Sequence, residues 1–264
     1  MSTVNVLFIG DVVAQAGLKA IARHVPRIRR EVPIHLTIAN GENAAAGFGL
    51  TRAVADELFG LGVDVITGGN HLWDKREILD FIQQEPRIVR PANDHGGELG
   101  ARSGVFTTSN GFRVAVVSLM GRVFMPAAEC PFRCADTMIP ALRRETPIVI
   151  IDIHAEATSE KTALGWYLDG QVSAILGTHT HVQTADERIL PAGTAYLTDV
   201  GMTGPYESVI GTEREPAIHR FLTSTTQRMS PASGDPRLSA AVITIDAETG
   251  RAQSIRRLMC RESD

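Results

Sequence analysis

The chain has 264 residues, with 26 basic and 30 acidic side chains and a formal net charge of -4, so no overall basic field is available to hold long nucleic acid. Hydrophobic residues make up 44% and charged residues 21%, the balance of an ordinary globular protein, which excludes a disordered or fibrous chain and supplies a sizeable core. Cys130, Cys134 and Cys260 are an odd count without a Cys-x-x-Cys pair, which argues against a disulfide framework and a structural zinc site. Met1 leads directly into an apolar run with no basic-then-apolar leader, and no apolar stretch approaches about 20 residues. The expectation is one domain over 1–264, cytoplasmic and free of membrane.

In chain order, Val4 to Ile9 reads as a short buried strand that stops at Gly10-Asp11, which puts Asp11 at its carboxyl end. Leu18, Ile21, Ala22, Val25 and Ile28 then keep a helical period, with arginines on the opposite face. A second strand over 34–39 ends in Asn40-Gly41-Glu42-Asn43, and Thr51 is the expected N-cap of a helix over 51–61. A third strand, 63–67, ends in Gly68-Gly69-Asn70-His71, after which Asp74 opens a helix through Phe81.

Asn110-Gly111 between apolar runs predicts a hairpin joining 105–109 to 112–119. Residues 121–136 read as an irregular loop whose Cys130 and Cys134 are two free thiols rather than ligands. A helix over 136–145 leads to a buried strand ending at His154, and Thr158 or Ser159 is expected to cap the next helix, which runs to Tyr167. The run 172–176 closes in Gly177-Thr178-His179-Thr180-His181. On an extended backbone those two imidazoles point to one side, although a lone histidine at a strand end is more often a hydrogen-bonded loop residue. A hairpin over 189–199, a mobile glycine-rich loop over 201–211 near the site, a loop over 224–236 and two final strands complete the chain.

Ligands of open α/β sheets bind beyond the carboxyl ends of the strands. Five strands here end in Asp11, in Glu42 with Asn43, in Asn70 with His71, in His154, and in His179 with His181, so one rim gathers four of the chain's eight histidines with two carboxylates and two amides. Desolvated polar groups in that number need something to pair with. They exceed what one tetrahedral zinc takes, and nitrogen and oxygen donors without thiolate suit iron, manganese or zinc. Two metals about 3.5–4 Å apart fit the count. Such a pair serves phosphoester hydrolysis by acidifying a water between them and neutralising the phosphoryl oxygens, with His71 left over as proton donor.

Gly10-Asp11, Gly69-Asn70-His71, His154 and Gly177-Thr178-His179-Thr180-His181 resemble, in order, the motif blocks of the calcineurin-like metallophosphoesterases. More narrowly, Phe8 to Val13, Asn40 to Ala45, Gly69 to Asp74, His154 to Lys161 and Thr198 to Tyr206 are similar to the YmdB branch, over nearly the whole chain. Where the wider family carries a histidine in its first block and a bridging aspartate in its second, Val13 and Glu42 stand here, as in that branch. The resemblance implies a four-layer α/β/β/α sandwich of two mixed sheets. It also implies two metal ions per chain, iron first with manganese or zinc as alternatives. Asp11, Glu42, Asn43 and His181 would hold one, Glu42, Asn70, His154 and His179 the other, with Glu42 bridging and His71 as general acid.

By the same resemblance the substrate is a small phosphodiester, a cyclic nucleotide and the 2',3'-cyclic monophosphates in particular, and the protein is a homo-oligomer tied to RNA turnover. A phosphomonoesterase or nucleotidase using the same metals, and a regulatory nucleotide-binding protein without turnover, are the alternatives. Among neighbouring residues, Asp74 is either the partner that keeps His71 protonated or a helix N-cap. Glu156 reads as a loop hydrogen-bond acceptor ahead of a partner for a ligand histidine, Arg122 as a solvated arginine ahead of a phosphate binder, and Phe48, Phe124, Phe132 and Tyr206 as packing residues rather than base stackers.

Overall fold

Val4, Val6 and Phe8 alternate with Leu7 and Ile9 along β1 (Thr3–Ile9), and both sets are fully buried. A strand apolar on both faces belongs between two covering layers, and this one lies at the middle of the first sheet in a computed structural model that describes all residues except Met1, Gly96, Thr226 and Gln227. β3 (Leu36–Asn40), β4 (Val65–Thr67) and β5 (Ile88–Val89) follow it in parallel. On its other side runs the antiparallel β13 (Pro236–Asp246), which carries β14 (Ala252–Cys260) and β12 (Met202–Pro205). β12 in turn pairs with the two-residue β2 (Asp11–Val12).

The second sheet has β7 (Arg113–Met120), β8 (Val149–His154), β9 (Ala174–Thr178) and β11 (Ala195–Leu197) in parallel, with antiparallel edges β6 (Ser103–Thr107) and β10 (Arg188–Ile189). β6 and β7 form the expected hairpin around Asn110-Gly111. Val6, Phe8 and Ile38 from one sheet meet Val116, Ile150 and Leu176 from the other in a core between the sheets. Leu7 and Ile9 pack beneath α1 (Ala14–Glu31), α2 (Arg52–Gly60) and α3 (Ile78–Phe81). Val117 and Ile151 pack beneath α4 (Pro131–Glu145) and α5 (Thr158–Tyr167). The expected four layers and two mixed sheets are therefore present. Among the described residues no helix is long and apolar enough to cross a membrane.

Several local expectations are corrected. The helix from Asp74 to Phe81 is a 3-10 turn, Leu72–Asp74, followed by the four-residue α3, because the Asp74 carboxylate is engaged by His71 and caps nothing. α4 begins at Pro131 rather than 136, since a proline at the first helical position gives up only an amide that would have no helical partner. Neither Thr158 nor Ser159 caps α5, where Ala157 holds the cap position without a side-chain bond. Four of the eleven residues in the glycine-rich 201–211 segment are strand, and α6 (Arg214–Thr223) was not anticipated. Pro216 reads as a breaker, yet it sits in the first turn, where the missing amide is tolerated. Thr51 caps α2 as expected, accepting from the Val54 amide.

Candidate metal centre

The parallel strands of both sheets end on one rim, and that rim brings together all the candidate residues. Asp11, Glu42 and His154 are fully buried there. His154 Nε2 lies 3.0 Å from Glu42 Oε1, 3.1 Å from Asn70 Oδ1 and 3.1 Å from His179 Nδ1. On the other side of Glu42, its Oε1 is 3.0 Å from Asn43 Nδ2, which is 3.2 Å from His181 Nε2, and His181 Nε2 is 3.9 Å from Asp11 Oδ1. Two clusters thus share the Glu42 carboxylate, whose other oxygen accepts the His71 amide at 3.0 Å.

These contacts fit a cation better than they fit hydrogen bonds. A neutral imidazole nitrogen carries at most one hydrogen, so His154 Nε2 cannot satisfy a carboxylate, an amide oxygen and a second imidazole at once. Asp11 Oδ1 and Asn43 Oδ1 are buried with no hydrogen-bond partner among the described residues, a state that carries the full cost of desolvation unless something else pairs with them. Glu42, His154 and His179 each offer a ligand atom within 4.8 Å of the others.

The electrostatics are equally displaced from those of free side chains. Burial alone would lower the His154 pKa, but the Glu42 carboxylate beside it, with Asp11 and Asp152, drives it up to about 9. Burial works the other way on Glu42, and His154 with the His71 amide overcomes it, leaving that carboxyl at about 2. Asp11 is raised to about 6 by burial, against the pull of His181 and His154. His179 falls to about 3 through burial and the neighbouring His154. Groups pushed this far apart in one cleft mark a functional site.

The Thr178–His181 segment is not extended. β9 ends at Thr178, and His179 (φ 96) and His181 (φ 62) both adopt left-handed backbone, which sends one imidazole to each cluster. Asp199 holds the turn, accepting from the Thr180 amide at 3.2 Å and its hydroxyl at 2.7 Å, and Lys161 Nζ meets the same oxygen at 2.7 Å. His181 Nδ1 donates to the Ile210 carbonyl at 2.8 Å, so the 201–211 segment does border the site. Gly69 leaves room for the centre: a Cβ there would sit 2.3 Å from His154 Nε2 and 2.4 Å from Glu42 Oε2.

Around this centre, Asp74 Oδ2 is 2.9 Å from His71 Nδ1, a contact with the ring rather than a helix cap. Glu156 is not a plain loop acceptor. With Nδ1 turned to His154, His179 presents Nε2 outward, and Glu156 Oε2 meets it at 3.2 Å. Phe48 packs its ring 5.2 Å from that of His71 in the wall of a cavity of about 390 Å³. Ile210, Ala217 and Phe221 continue that wall. Phe132 and Tyr206 pack against apolar clusters, whereas Phe124 is exposed. Sequence reasoning passed over Asp152, Lys161 and Asp199, all fully buried; the one visible signal was a carboxylate inside the apolar run Ile150-Ile151-Asp152-Ile153.

Fold and site together define a hydrolase of the metallophosphoesterase type. Residues 7–258 match the model of the YmdB-like proteins, and the chain belongs to that family. It is 50% identical over 258 residues to the 2',3'-cyclic-nucleotide 2'-phosphodiesterase of Bacillus subtilis (strain 168), covering 98% of this chain and 97% of that protein. Among solved structures, a hypothetical protein from Thermus thermophilus superposes with a TM-score of 0.90 at 44% identity, covering 98% of this chain and 99% of the other. A novel phosphatase from Mycoplasma pneumoniae gives 0.93 at 33% identity, covering 99% and 94%.

Proposed function

We propose that this protein is a dinuclear metal-dependent phosphodiesterase that opens cyclic nucleotides, the 2',3'-cyclic nucleoside monophosphates before others. The observation that supports the reading is His154 Nε2, faced at 3.0–3.1 Å by a carboxylate, an amide oxygen and an imidazole that a shared cation would reconcile. Asp11, Glu42, Asn43 and His181 would hold one ion and Glu42, Asn70, His154 and His179 the other, with Glu42 common to both. The nitrogen and oxygen donor set suits iron, with manganese or zinc as substitutes. When bound, such a pair supplies positive charge to the phosphoryl oxygens and makes a neutral-pH nucleophile of water.

The chain's own residues do the rest. His71, with Nδ1 engaged by Asp74, keeps Nε2 available to protonate the departing ribose oxygen as its bond to phosphorus breaks. Beside that polar pole the cavity wall is apolar, with Val13, Phe48, Ile210 and Phe221, a surface that receives a nucleoside by stacking and exclusion of water. The Bacillus subtilis relative is named for cleavage of the 2' ester, and identity over nearly the full length supports the same bond here: water adds to phosphorus, O2' leaves with the His71 proton, and a 3'-monophosphate remains.

Purified protein supplied with manganese or iron is to be assayed on 2',3'-cyclic AMP, 3',5'-cyclic AMP and adenosine 3'-monophosphate, beside His71→Ala and Asp11→Ala. The expected order places the 2',3'-cyclic ester first and both variants far below the native enzyme. Faster cleavage of the monoester would make it a nucleotidase instead, and stoichiometric binding without turnover would make it a binding protein.

A further inference from the structure

Asp152 interrupts an apolar strand, and it lies fully buried where the two sheets face each other below the centre. Three neutral side chains donate to it: Asn40 Nδ2 at 2.9 Å and Thr67 Oγ1 at 2.6 Å to Oδ2, and Thr178 Oγ1 at 2.7 Å to Oδ1. Each donor comes from a different strand, β3, β4 and β9, while Asp152 itself belongs to β8. Those four strands run on directly into Glu42 with Asn43, Asn70 with His71, His179 with His181, and His154. Asn40 extends the same network upward, its Oδ1 accepting the Glu42 amide at 3.2 Å.

The shortest contacts of this network favour one arrangement of hydrogens at His154: Asn40 Nδ2 gives a hydrogen to Asp152 at 2.9 Å and stands farther, at 3.4 Å, from both His154 Nδ1 and Thr178 Oγ1. A carboxylate only accepts, so the single hydroxyl hydrogen of Thr178 points at Asp152 Oδ1. Thr178 Oγ1 then offers nothing but lone pairs to His154 Nδ1, 2.9 Å away. Nδ1 therefore carries a ring hydrogen, and in the neutral ring it is Nε2, the atom turned to Glu42, Asn70 and His179, that offers its lone pair. We propose that Asp152 is a positioning residue which, through the Thr178 hydroxyl, locks His154 in the tautomer that presents Nε2 to the metal centre. The inference rests on the metal reading given above, and it assigns to Thr178 and Asp152 a part that nothing in the motif blocks required.

The test uses full-length protein, stripped of metal, and reads the zinc and manganese dissociation constants by competition with a chromophoric chelator, together with the thermal midpoint of the metal-free form. Thr178→Val keeps the methyl and the shape but removes the hydroxyl, whereas Thr178→Ser keeps the hydroxyl and removes the methyl. The relay requires Thr178→Val to weaken metal binding about 10–100-fold and Thr178→Ser to stay within about threefold of the native value. Asp152→Asn should weaken it similarly, and the double variant with Thr178→Val should be little worse than either alone, as for residues acting in one chain. A purely packing role gives the opposite order, with Thr178→Ser the weaker binder, and would overturn the inference, as would native affinity in Thr178→Val. Native protein that takes up neither ion would overturn the metal reading itself, a result separable from a failure of the relay alone. Should Asp152→Asn not fold, the two Thr178 variants still decide.

Discussion

His71 and Asp74 meet at 2.9 Å through Nδ1 and Oδ2, three residues apart in a turn at the mouth of the cavity. The contact engages Nδ1 and so leaves Nε2 as the ring nitrogen that faces the substrate. His71→Ala should lower kcat by about 10²–10⁴-fold. Asp74→Asn should lower it by only about twofold to tenfold, the worth of one hydrogen bond, with KM nearly unchanged. Steady-state kinetics on a 2',3'-cyclic nucleotide checks both; equal losses in the two variants would mean that Asp74 does more than orient the ring.

Gly69→Ala is expected to leave the fold standing and empty the centre. The added methyl meets His154 Nε2 and Glu42 Oε2 rather than backbone, so the side chains that yield are the ones proposed to bind metal. Circular dichroism should match the native protein while bound metal falls by about tenfold or more at equal free metal.

Lys161 and Asp199 form a fully buried ion pair at 2.7 Å. Lys161→Met leaves a carboxylate buried without its cation, and such losses cost about 3–5 kcal/mol, to be read from urea unfolding. Because Asp199 also holds the Thr180 turn, metal affinity should fall in the same variant.

Acidity gives a further expectation. In the metal-free fold the His154 pKa lies at about 9 against an ordinary 6.5. Its pairing with Glu42 therefore stabilises that fold fully below about pH 6.5 and ceases to do so as pH rises through about 9. Metal must displace the same proton. Calorimetric loading in buffers of different ionisation enthalpy should show about one proton released per chain at pH 7, falling towards none above about pH 10. Below pH 6, where the Asp11 carboxyl, raised to about 6, takes up its own proton, the release should approach two.

Much of the rim was legible because each donor follows an apolar run directly, so a strand and its end could be read together, as at Ile66-Thr67 before Asn70 and Ile153 before His154. What supports the rim was not. Asp152 meets Asn40 and Thr67 across 112 and 85 residues of chain, a pairing no local pattern encodes. Glu156 and His179 come from separate loops, and nothing in the spacing places them together. Thr178 to His181 continues a strand-like run on paper, while Asp199 and Ile210 bend it in space. α6 hid behind Pro216 and an almost wholly exposed surface, with Ala217 its single buried residue.

The left-handed backbone at His179 and His181 narrows what evolution or a designer can do there. Geometry asks for glycine at both places, while the chemistry asks for imidazole, and one residue type answers the second demand. Asparagine would ease the bend yet bring no nitrogen donor, and glycine would relax it completely and bring nothing at all. Loop rigidification aimed at a hardier enzyme should thus spare these two letters and seek its gains in the scaffold that forces them into shape.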